Sequence, residues 1–216
     1  MVLVKVCCIG SVEEAQMAVE AGASAIGLVS HMPSGPGVID ERLIEEIAAT
    51  TPPNIATFLL TSRTDPAAVI DQVHRTRVNT VQLCDRMPAG AHAELRAALP
   101  DVSVVQVIHV ADEGSIVEAR DYQDQVDALL LDSGNQRLAV KELGGTGRIH
   151  DWTVSRRIVG EVQVPVFLAG GLRTENVAEA IRRVRPYGVD LCSGVRTDGA
   201  LDGDALRRFV EAVAAA

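Results

Sequence analysis

The stretch VPVFLAGGLRTENVAEAIRRVRPYGVDLCSG, residues 164–194, decides the fold. It opens on an apolar run at 164–169, breaks at Gly170-Gly171 and continues as an amphipathic segment from Thr174. A second β-branched run, 189–193, closes it. Strand, turn, helix and strand in that order form the unit from which parallel sheets are built. The runs at 128–131 and 164–169 are apolar throughout, so their strands are expected to be buried on both faces.

The same alternation extends over the whole chain. Strand-like runs fall at residues 3–9, 25–30, 55–60, 80–84, 102–108, 126–132, 164–169 and 189–193. Helical segments are expected to begin near Ser11, Asp40, Asp65, Pro88, Glu113, Asp151, Thr174 and Asp202. Ser11 with Glu14 reads as a capping box, and Asp65-Pro66 as an N-cap followed by proline in the first turn. Thr174, Asp151 and Asp202 offer further capping oxygens. Eight βα units in 216 residues predict an α/β protein, a single (β/α)8 TIM barrel over residues 1–216. An open doubly wound sheet would need fewer strands and a glycine-rich first turn, and Cys7-Cys8-Ile9-Gly10 is not one.

Composition narrows the function. The chain is 47% hydrophobic and 23% charged, with a formal net charge of −9. An acidic surface repels phosphodiester backbones and anionic lipid, and 3% aromatics leave few platforms for base stacking. Neither nucleic acid nor a membrane is therefore expected as a partner. Four cysteines without a disulfide framework, and no leader pattern, predict a cytoplasmic protein. A small anionic substrate is not excluded, because a local site can be positive on a negative protein.

Barrel active sites form at the C-terminal ends of the strands. Two long loops lie there, 31–39 and 133–150. Three small-residue segments follow strands 6, 7 and 8: Gly144, Gly145, Thr146 and Gly147; Gly170 and Gly171; Ser193 and Gly194. Small residues let backbone N–H groups approach an anion, and this rim is the usual phosphate site of such barrels. Cys7 ends the first strand and Asp132 the sixth. A thiolate near positive charge is a competent base, and Lys5 projects to the same side of the strand as Cys7. Asp132 closes an apolar run that would favour the protonated form of a general acid. Cys8, by alternation, is expected to point away from Cys7. Cys84, Cys192, His31 and His109 also lie near this rim, but without metal-ligand spacing, so no metal is expected.

These residues resemble the phosphoribosylanthranilate isomerase family of tryptophan biosynthesis. Lys5-Val6-Cys7 looks like the family's opening Lys-Ile-Cys, and Val81-Gln82-Leu83 like its fourth strand. Leu129 to Ser133, Gly144 to Gly147, Asp151-Trp152, Leu168 to Leu172, Glu175-Asn176-Val177, Arg185 to Asp190 and Ser193-Gly194-Val195 follow in family order. The resemblance implies an aldose–ketose isomerase, a monomer or homodimer, that takes a small phosphorylated sugar as its partner and performs an Amadori rearrangement without metal or organic cofactor. Cys7 would be its general base and Asp132 its general acid, with the three glycine segments holding the sugar phosphate.

The chain departs from the family at three places. Cys8 stands where the family has Gly, and Gln82-Leu83-Cys84-Asp85 where it has Gln-Leu-His-Gly. Gly37 occupies the position of an Arg expected to bind the anthranilate carboxylate. Another cation could replace that clamp, with His31, Arg63 and Arg196 as candidates and Cys84 as a further substrate contact. Otherwise the enzyme acts on a different phosphorylated aminosugar or sugar. A non-catalytic phosphometabolite-binding barrel is the rival of another class, and it would need neither Cys7 nor Asp132.

Overall fold

The computed structural model describes residues 1–136 and 138–216. Strands and helices alternate as β1 (Leu3–Val6), α1 (Val12–Glu20), β2 (Ala25–Val29), α2 (Glu41–Thr50), β3 (Ala56–Thr61), α3 (Pro66–Thr76), β4 (Thr80–Leu83) and α4 (Ala91–Ala98). The second half continues as β5 (Ser103–His109), α5 (Gly114–Gln123), β6 (Ala128–Asp132), α6 (Trp152–Glu161), β7 (Val166–Leu168), α7 (Thr174–Val184) and β8 (Gly188–Leu191). A 3-10 turn (Ser193–Val195) and a hairpin of β9 (Arg196–Thr197) and β10 (Ala200–Leu201) lead into α8 (Gly203–Ala214). The eight main strands are parallel and close into a barrel in chain order, with β1 pairing β8. The (β/α)8 expectation is met. Among the described residues, no helix is long and apolar enough to cross a membrane.

Strand alternation divides the core in two. Val4, Val6, Ile26, Leu28, Leu129 and Leu131 face outward and pack against the helices. Ala25, Phe58, Leu60, Val105, Leu130 and Phe167 fill the lumen, where Phe58 and Phe167 meet edge to face at 5.9 Å between ring centroids. Continuous apolar runs are what this geometry requires, because each strand is covered on both sides.

Helix starts follow local chemistry. Asp40, Asp65, Asp151 and Asp202 each accept a backbone N–H in the first turn of the helix that follows. Ser11 does the same for Glu14 N at 3.2 Å, but Glu14 does not complete the capping box. Its carboxylate accepts from Gly10 N and Leu201 N, both at 2.9 Å, and pairs with Arg196. Two other starts differ from expectation. Helix α4 begins after Gly90 rather than at Pro88, and α7 has Arg173 as its N-cap, with Thr174 already inside. There Asn176 Oδ1 accepts from the N-cap's own N–H, Arg173 N, at 2.8 Å, and fixes the start of the helix one residue before the threonine.

Candidate active site

A cavity of about 750 Å³, its mouth included, opens at the C-terminal end of the barrel. Cys7 reaches it from just beyond β1, and Asp132 from the last residue of β6. Gly144, Gly145, Thr146, Gly147, Gly170, Gly171 and Ser193 also line it, so the three small-residue segments meet on one rim. Gly194 stands directly behind: a Cβ there would come within 2.3 Å of Leu172 O.

Beneath Cys7 lies a buried ion pair. Lys5 Nζ is 2.9 Å from Asp190 Oδ1, with the lysine fully buried and 5.0 Å from the centroid of Phe58. Burial alone would lower the lysine's pKa. The Asp190 carboxylate and, after it, Cys7 outweigh burial and hold Lys5 above its ordinary value, so it stays an ammonium. Gly27 of β2 makes room for this arrangement, since a Cβ on it would fall 2.9 Å from Cys7 Sγ and 3.2 Å from Lys5 Nζ.

Asp132 is buried, and its Oδ1 accepts from Ser133 N at 2.7 Å. Its carboxylate lies against Gly144 and Gly170, where Cβ atoms would stand 2.8 and 3.3 Å from its oxygens. The loop after β6 is stitched by Ser133 Oγ to Thr146 Oγ1 at 2.6 Å, and Ser34 Oγ donates to Lys141 O at 2.8 Å. The long loops after β2 and β6 thus meet above Asp132 and roof one end of the cavity.

Cys8 departs from expectation. Strand β1 ends at Val6, and Cys8 takes a left-handed backbone with φ 62°. Simple alternation stops there, and Cys7 and Cys8 both line the cavity. The Cys8 thiol lies between Cys192 and Cys7; hydrogen bonding to these sulfurs, then burial, pushes it up and keeps it neutral. Hydrogen bonding from Cys8 in turn lowers the Cys192 thiol.

The proposed auxiliary contacts are elsewhere. His31 is exposed and does not line the cavity. Arg63, also outside, is 3.6 Å from Glu41. The Arg196 guanidinium is turned inward: it donates to Cys8 O, to Gly199 O and to both Glu14 oxygens, so it ties three loops together and does not line the cavity. Cys84 is sealed in the barrel, where burial, then the charge of Cys7, pushes its thiol up to about 12. Gln82 of β4 also belongs to the site. It is buried and lines the cavity, and among the described residues its Oε1 has no hydrogen-bond partner. The only sequence signal for it was an amide on a strand facing an apolar lumen.

Comparison with known proteins agrees with this architecture. The family model for N-(5'-phosphoribosyl)anthranilate (PRA) isomerase matches residues 4–212. An N-(5'-phosphoribosyl)anthranilate isomerase of Methanocella arvoryzae is 38% identical over 214 residues, covering 99% of this chain and 98% of its own. N-(5'-phosphoribosyl)anthranilate isomerase 2 of Methanosarcina mazei is 42% identical over 194 residues, 89% of this chain and 85% of its own. A crystal structure of phosphoribosyl anthranilate isomerase in complex with reduced 1-(o-carboxyphenylamino)-1-deoxyribulose 5-phosphate is also similar. It superposes with a TM-score of 0.83 at 27% identity over 100% of both chains. The chain belongs to the N-(5'-phosphoribosyl)anthranilate isomerase family.

Proposed function

We propose that this protein is an aldose–ketose isomerase of tryptophan biosynthesis, converting an N-substituted 5-phosphoribosylamine into the 1-amino-1-deoxyribulose 5-phosphate. The observation that carries the reading is the meeting of Cys7, Asp132 and the three small-residue segments around one cavity. The phosphate would rest against Gly147, Gly170, Gly171, Ser193 and Gly194, with Gly144, Gly145 and Thr146 closing over the sugar. Backbone N–H groups at close approach hold an anion without needing a side-chain cation.

Chemistry then needs two proton transfers. Asp132 gives its proton to the furanose ring oxygen as the C1′–O4′ bond breaks, which leaves an iminium at C1′. The Cys7 thiolate, with the Lys5 ammonium beneath it, removes the C2′ proton and generates the enolamine. Tautomerisation adds a proton at C1′ and releases the C2′ hydroxyl proton, which gives the ketone and resets the acid–base pair. Gln82 Oε1 is an acceptor for a sugar hydroxyl. A non-catalytic binder would have no use for this pair of groups.

The test is complementation of a tryptophan-requiring strain that lacks the isomerase, paired with assay of purified protein on phosphoribosylanthranilate. Growth together with ketose formation is expected. Failure in both, with soluble folded protein, overturns the reading.

A further inference from the structure

We propose that Cys8 and Cys192 form a dithiol on the wall of the cavity that a peroxide converts to a disulfide, and that the disulfide switches off the site beside it. The switching rests on Cys7 as the base, as just argued; the formation of the bond does not. Strands β1 and β8 pair with Val6 opposite Leu191, and Cys7 N donates to Leu191 O at 2.8 Å, so the residues that follow the two strands emerge side by side. Neighbouring strands run about 4.8 Å apart, within the Cα span of about 4.4–6.8 Å that a disulfide bridges. The left-handed backbone of Cys8 carries it out of the strand, and its thiol hydrogen-bonds the Cys192 sulfur. Arg196 donates to Cys8 O, which ties Cys8 to the segment that follows Cys192.

Chemistry sets these two thiols apart. Cys192 is partly exposed, whereas Cys7, Cys8 and Cys84 are buried. Hydrogen bonding from Cys8, joined by the positive charge of Arg196, outweighs burial and lowers the Cys192 thiol. An accessible, readily ionised thiol with a second thiol beside it is the pattern of peroxide-sensing cysteines. The Cys192 thiolate attacks one oxygen of hydrogen peroxide and becomes a sulfenic acid; the other oxygen leaves as hydroxide and takes up a proton to give water. The Cys8 sulfur then attacks the sulfenic sulfur, gives up its own proton and expels a second water. Two thiols and one peroxide thus yield one disulfide and two waters. Cys7 is placed differently. A Cβ on Gly27 of β2 would fall 2.9 Å from its sulfur, which therefore lies toward the strand on the other side of β1 from β8. Once oxidised, Cys8 has no S–H left for its hydrogen bond with Cys7, and the thiolate of the base loses a donor.

The experiment treats the reduced full-length protein with equimolar hydrogen peroxide and reads the linked peptides by fragmentation mass spectrometry. Turnover of phosphoribosylanthranilate is timed before oxidation, after it, and after dithiothreitol. A Cys8–Cys192 linkage is expected, persisting in Cys7→Ser and lost in Cys8→Ser and in Cys192→Ser. With it the rate should fall at least about tenfold, recover with dithiothreitol, and hold under peroxide in Cys192→Ser. No linkage, or one through Cys7 or Cys84, overturns the proposal. Linked protein that turns over at the reduced rate, or an equal loss in Cys192→Ser, overturns the switch. If the linkage forms but the reduced protein does not isomerise the substrate, the isomerase reading fails and the switch falls with it, while the disulfide stands.

Discussion

The side chain of Cys8 fills the space that any side chain at Gly37 would require. A Cβ on Gly37 would sit 2.5 Å from Cys8 Cβ and 3.0 Å from its Sγ, and Gly37 itself has φ +79°. Cys8 also turns its thiol toward Pro36 O, at 3.8 Å. The two positions, distant in sequence, form one interlocked contact between the loops after β1 and β2. A basic side chain therefore cannot be restored at residue 37 by a single substitution.

Gly37→Ala is expected to destabilise the fold. A left-handed backbone costs a non-glycine residue about 1–2 kcal/mol, and overpacking adds about 1–3 kcal/mol. Thermal unfolding should show a lower Tm, with part of the loss recovered by adding Cys8→Gly. An unchanged Tm for the single variant would mean that the loop moves aside freely.

The sequence made the barrel legible because its signals are local. Apolar runs such as 128–131 and caps such as Asp65 depend on neighbours a few residues away, and both formed as expected. Cys7 and Asp132 could be read because a strand end places its last inward residue on the rim. What escaped notice depends on partners far along the chain. Glu14 looked like half of a capping box, yet its carboxylate serves Arg196, 182 residues on. Arg196 looked like a free cation on the rim for the same reason. Cys8 escapes the alternation because the strand stops at Val6 and the backbone then turns left-handed.

Glu14→Gln tests that long-range tie. Glu14 and Arg196 are both largely buried, and removing one charge strands the other. Denaturant titration should show a loss on the order of 3 kcal/mol. A double-mutant cycle with Arg196→Met should give coupling above about 1 kcal/mol. Additive losses would show that the pair is not a unit.

Lys5→Met leaves Asp190 buried without its partner, so stability should fall by about 3–5 kcal/mol. Adding Asp190→Asn should restore much of it, because a neutral amide tolerates burial better than a carboxylate does. The restored double variant should still turn over more slowly than the parent, since the ammonium beneath Cys7 is gone. Full activity in that variant would show that Cys7 needs no help from Lys5.

Burial lowers the pKa of both His92 and His150 from the ordinary 6.5, with the bond to Gln106 only partly opposing it at His92. Below about pH 6.5 the unfolded chain therefore binds more protons than the native one. Their contribution to stability is complete above that pH and declines as the pH falls toward the native values. Urea midpoints measured from pH 7.5 to 5.5 should drop, and His92→Gln with His150→Gln should flatten the slope. A flat profile in the parent protein would contradict this.

The most direct test of the assigned chemistry follows the C2′ proton. Purified enzyme is run on phosphoribosylanthranilate in deuterated water, and the products are read by mass spectrometry and NMR. The account predicts ketose carrying solvent deuterium at C1′. Cys7→Ser and Asp132→Asn should each lower the rate by at least about 10² while leaving inorganic phosphate affinity nearly unchanged. Ketose formed at the parental rate by Cys7→Ser would contradict it, because the C2′ proton would then have left by a route that does not involve Cys7.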